Sequence, residues 1–75
     1  MSAKEWLSRF AAALGVDAPS DEEISDLLRL AGEAARASER TAAPVACWLA
    51  ARAGLSPAEA LEVLEKGKES SGRIP

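Results

Sequence analysis

The stretch "ASERTAAPVACWLAARAG", residues 37–54, decides the fold. It begins polar, and after Thr41 only Arg52 interrupts an apolar run. Pro44 lacks an amide hydrogen and disfavours helix at the residue before it, unless it sits in a first turn. With Thr41 as N-cap, Pro44 takes the third helical position, and a helix over 42–53 fits, closed by Gly54. On a helical wheel Val45, Trp48 and Leu49 share one side with Arg52. Ala43, Cys47, Ala50 and Ala51 form the other. A helix that is apolar all round is normally buried all round. The small-residue side, Ala43, Cys47, Ala50 and Ala51, is therefore expected to meet another protein, most simply a second copy across a two-fold axis, the alternative being that the last helix folds back over it and closes a monomer. The neighbouring helices are expected to cover the bulky side.

Working outward, the preceding helix must end near residues 38–40. It opens after Ser20, which with Glu23 forms a capping box, and Asp21, Glu22 and Glu23 suit the positive end of the helix dipole. Its expected inward stripe is Ile24, Leu27, Leu28, Ala31, Ala34, Ala35 and Ser38, with Leu30 and Ala37 on one flank. Upstream, Ser2 and Glu5 give another box before a helix over 3–14. That helix stops at Gly15 and carries Trp6, Leu7, Phe10 and Leu14 on one face. Downstream, "GLSPAE" starts a last helix with Ser56 as cap, Pro57 first and Glu59 closing a third box. It turns Ala60, Leu61 and Leu64 inward and is expected to end near Gly67. No strand-like alternation or internal repeat occurs. The reading is all-α: a compact antiparallel four-helix bundle with helices about 3–14, 21–39, 42–53 and 57–67. One domain spans 1–69, followed by a flexible tail over 70–75.

Composition narrows the function. Seventy-five residues with one cysteine, Cys47, allow no internal disulfide, and the absence of histidine removes the commonest metal ligand and general base. Of thirty-six hydrophobic residues, seventeen are alanine, so little area is buried per residue. A net charge of −3 with mixed signs disfavours nucleic acid and anionic membranes. No signal-type apolar segment and no run near the ~20 residues of a bilayer span occur, so a cytoplasmic protein without cofactor, metal or membrane contact is expected.

Three features compete as sites. "LAARAGLSPAEALEVL" has helix-turn-helix spacing, with Ala50, Gly54 and Leu61 at the small, turn and packing positions. Its second helix, however, would present Glu59, Glu62 and Glu65 to the duplex. At the corner between the second and third helices, Arg36, Arg40, Thr41 and the amides that open the third helix suit a phosphate or nucleotide. Glu33 and Glu39 can neutralise those arginines instead. Cys47 has no histidine to activate it and reads as a small buried hydrophobe, not a nucleophile. Trp6 and Trp48 read as core anchors, with Arg52 one turn beyond Trp48 and placed to stack on it.

The runs "WLSRFAAALGVD" and "PSDEEISDLLRLAGEAARASERTAAPVACWLA" resemble a family of small bacterial helical domains of unknown function. Trp6, Leu7, Leu14, Gly15, Glu39, Arg40, Ala43, Pro44 and Val45 carry the resemblance, which covers about residues 5–65. Such domains occur alone or joined C-terminally to proteins resembling molybdenum-cofactor guanylyltransferase. The resemblance implies an accessory role near molybdopterin cofactor assembly and assigns no catalytic residue. This chain has no glycine-rich nucleotide loop, so a transferase would have to act in trans.

The expected function is thus a non-enzymatic helical protein-interaction module, as a homodimer or with a protein partner. The alternatives are an anion- or nucleotide-binding accessory domain at the Arg36/Arg40/Thr41 corner and a degenerate helix-turn-helix DNA-binding protein.

Overall fold

The structure is a computed structural model that describes residues 1–71, with side chains through Gly67. Four helices follow in order: α1 (Ala3–Leu14), α2 (Asp21–Ala37), α3 (Ala42–Arg52) and α4 (Pro57–Ser71). The chain is an all-α bundle, with no strand among the described residues. The four starts match the sequence reading. At their ends, α2 stops at Ala37, two residues early, and α4 runs through Gly67 to Ser71. Gly67 lacks the left-handed conformation that makes glycine a stop, which Gly15 and Gly54 do adopt (φ 76° and 78°). Residues 72–75 of the expected tail lie outside the described residues.

The punctuation is local chemistry. At α2 the Ser20 amide donates to Glu23 Oε1 (2.8 Å), and the Glu23 amide donates to Ser20 Oγ (3.1 Å). Ser56 and Glu59 repeat the box at α4 with the same distances. At α1 only half the box forms: the Glu5 amide donates to Ser2 Oγ. Both glycine stops are Schellman closures. The amides of Gly15 and Val16 donate to the carbonyls of Ala12 and Ala11, and those of Gly54 and Leu55 donate to Ala51 and Ala50.

The hydrogen bonds from Ser56, its backbone amide first, hold the Glu59 carboxyl below its ordinary range. A folded-state value below the unfolded one stabilises the fold above the unfolded value, near 4.3 for glutamate, and is lost as pH falls through the folded one. The urea midpoint should therefore drop through this acid window. Glu59→Gln should flatten part of that drop, and an identical acid limb in the variant would remove the box from the account.

The core is small. Leu30, Ala60, Leu61 and Leu64 form one buried cluster, with Cys47, Ala50 and Leu55 packed against it. Residues from α2 and α4 meet there, and α3 lies against both. The inward trio expected of α4 is the trio observed. In α2 the expected stripe is covered at Ile24, Leu27, Ala31, Ala34 and Ala35, but the most buried residue is Leu30 on its flank, 5% exposed, while Leu28 is 68% exposed. Two neighbours, α3 and α4, set that side, and the amphipathic pattern of α2 alone encodes only one. Among the described residues the α1 backbone comes within 8 Å of no other helix, Cα to Cα, and Ala11 is its one buried residue. The shortest dimension is 18 Å, room for two layers of helices about 8–10 Å apart. No large side chain among the described residues is fully buried.

Candidate functional site

The faces of α3 are the reverse of those expected from sequence. Ala42, Ala43, Ala46, Cys47 and Ala50 are half-buried, and Cys47 and Ala50 rest on the core cluster. Cys47 Sγ points at the Leu27 carbonyl of α2 at 3.9 Å, and burial pushes its thiol pKa up. Of the small residues assigned to an intermolecular contact, Ala43, Cys47 and Ala50 thus face the chain's own helices, and Ala51 alone is exposed. Small side chains let the α2 and α3 backbones approach closely, which two bulky rows could not do. The bulky side is consequently left outside: Val45 is 54% exposed, Trp48 57% and Leu49 55%. Trp48 is no core anchor. The Arg52 guanidinium stacks on its ring, 5.0 Å from the centroid, as the one-turn spacing suggested. That arginine was the missed signal. It is the only charge in α3, and it marks the wet side.

α1 offers a second apolar face. Trp6 and Phe10 stack with ring centroids 5.1 Å apart, and both are about half exposed, as is Leu14. Trp6, too, is therefore not a core anchor. Leu7 and Ala11 are the more covered side of the helix. An ion pair from Lys4 to Asp21 (2.7 Å) links α1 to the first turn of α2, between two well-exposed side chains.

The Arg36/Arg40/Thr41 corner is built differently from the expected anion cradle. Thr41 already has helical backbone angles and makes no capping bond. Its hydroxyl donates to Glu39 Oε1 instead (3.3 Å). A side chain reaches back over the first amides only from an extended cap residue. The amides of Ala42 and Ala43 donate to the carbonyls of Glu39 and Arg40, and Pro44 has none. None of the first three residues of α3 therefore offers a free amide. Arg36 folds back along Gly32 and meets Glu33 at 3.5 Å.

The outer side of α4 carries exposed Glu59, Glu62 and Glu65. An open groove of about 440 Å³ beside it is lined by Asp26, Arg29, Glu62, Glu65 and Lys66 with Ala58 and Leu61. Its mixed charge suits neither the phosphates nor the base edges of a duplex. Among the described residues no cluster of three potential metal-ligating side chains occurs, and no helix is long and apolar enough to cross a membrane.

A family model described as "Domain of unknown function (DUF6457)" matches residues 1–71. The chain belongs to this family. The match takes in all four helices, so α1 lies within the family's domain although its backbone stands apart from the other helices among the described residues. No curated protein and no solved structure matches the chain.

Proposed function

We propose that this chain is a non-catalytic helical interaction domain that binds protein through the outer faces of α3 and α1. One observation carries the reading: Trp48, Val45, Leu49, Trp6, Phe10 and Leu14, which include all three aromatic side chains of the chain, are about half exposed or more. Scattered apolar residues on a surface are ordinary, but rows of aromatic and aliphatic side chains along helices are what partner surfaces look like. Tryptophan anchors are also enriched among the residues that dominate binding energy. The small core supports the same reading. A domain of this size has roughly 3–5 kcal/mol from its core alone, and covering these faces would add to it.

An accessory role near molybdenum-cofactor assembly is the finer form of this proposal. It is supported by the resemblance carried by Trp6, Leu7, Gly15, Arg40 and Pro44, and by no feature of the apolar faces.

The test places a photo-crosslinking residue at position 49, on the α3 face, or at position 62, on the acidic side of α4, in living cells. Position 49 should give discrete protein adducts, of whatever identity, and position 62 should not. Equal yields from both positions, or none from position 49, would sink the reading.

A further inference from the structure

We propose that the partner is a second copy of this chain, with helix exchange: α1 of each protomer lays Trp6, Phe10 and Leu14 across the outer face of its neighbour's α3. This rests on the interaction reading above and names its partner.

Three observations lead to it. First, α1 is an amphipathic helix whose backbone, among the described residues, comes within 8 Å of no other helix of its own chain. An exposed ion pair and the six-residue link to α2 hold it, and Ala11 is its one buried residue, so giving it to a neighbour uncovers little apolar surface. Such exchange of an identical element is a low-cost route to dimers.

Second, the two faces match in length and spacing. α1 has twelve residues and α3 eleven, so each is about 17 Å long. Trp6, Phe10 and Leu14 recur every four residues, and Val45, Trp48, Leu49 and Arg52 recur every three or four. Rows of these two kinds are the ones that interdigitate when helices pack.

Third, the area is what a dimer needs. A whole aromatic side chain buries ~150–250 Å², so the half-exposed rings of Trp6, Phe10 and Trp48 leave on the order of 300 Å² wet. With Leu14, Val45 and Leu49 the two faces reach about 600 Å² per chain, most of the ~800 Å² that each partner of a standard interface contributes. Either face alone falls well short. A foreign partner would have to cover two faces on different helices. A second copy related by a two-fold axis covers both in one operation, since each chain supplies both halves of the contact.

Light scattering on the full chain should give twice its 7.8 kDa mass. Phe10→Glu and Trp48→Glu each alter an exposed position, so both should stay helical by circular dichroism while dimerising at least tenfold more weakly. Mixed in equal amounts, the two variants should associate more tightly than either does alone. The mixed pair keeps one intact contact, the wild-type α1 of one chain on the wild-type α3 of the other. A one-chain mass for the wild type at millimolar concentration would overturn the second copy as partner, while the cellular crosslink at position 49 would still report a foreign one. Variants that dimerise like the wild type, or a mixture that associates no more tightly than either variant alone, would overturn the exchange.

Discussion

Leu30→Ala should unfold the protein at room temperature, and Leu28→Ala should leave it folded. Leu30 is 5% exposed and packs with Ala60, Leu61 and Leu64, whereas Leu28, two residues earlier on the same helix, is 68% exposed. Truncating a buried leucine costs about 2–5 kcal/mol, because the transfer free energy of the lost carbons is joined by a cavity the neighbours fill only in part. A single core of this size supplies roughly 3–5 kcal/mol in all. The loss is therefore comparable to the whole stability. At Leu28 the change should stay within about 0.5 kcal/mol, as for most surface positions. Urea titrations followed by circular dichroism decide between them. A stable Leu30→Ala beside an unfolded Leu28→Ala would mean that α2 turns its other side to the core.

Ala50→Glu and Ala51→Glu should part in the same way, although the alanines are adjacent. Ala50 rests on the core cluster from α3, and Ala51 is exposed. A glutamate at position 50 overfills the space between α3 and the core, worth about 1–3 kcal/mol, and brings a carboxylate toward an apolar cluster that offers it no hydrogen bond. Most of the cooperative transition should disappear. At position 51 the same side chain reaches water, and an acid near a helix C-terminus costs roughly 0.3–1 kcal/mol. Ala51→Glu should thus melt cooperatively within a few degrees of the wild type. If Ala51→Glu unfolds and Ala50→Glu does not, the orientation of α3 is wrong, and with it the exposed face proposed for binding.

What the sequence determined by itself is where the helices begin and where two of them stop. Ser2, Ser20 and Ser56 with a glutamate three residues on, and Gly15 and Gly54 at the stops, act through hydrogen bonds between residues no more than five apart. Such bonds form whatever the rest of the chain does, so α1 is recovered to the residue. The inward trio Ala60, Leu61 and Leu64 was legible too, because the charges of α4 leave only one apolar side. Arg52 likewise marked the exposed side of α3, though sequence reading gave more weight to the size of Trp48 and Leu49. Only the tertiary structure decided which side of α3 is buried, which flank of α2 is central, and whether α1 joins the core. Hydrophobicity along α3 is nearly uniform around the helix, so transfer free energy cannot choose its side. Close approach to α2 can, and alanine and Cys47 permit it where tryptophan does not. The expected anion cradle failed for a related reason: Thr41 is already helical, and the carbonyls of Glu39 and Arg40 take the amides a ligand would need. The outer apolar face is thus a by-product of how tightly two helices pack, a property of the pair that neither helix carries in its own sequence.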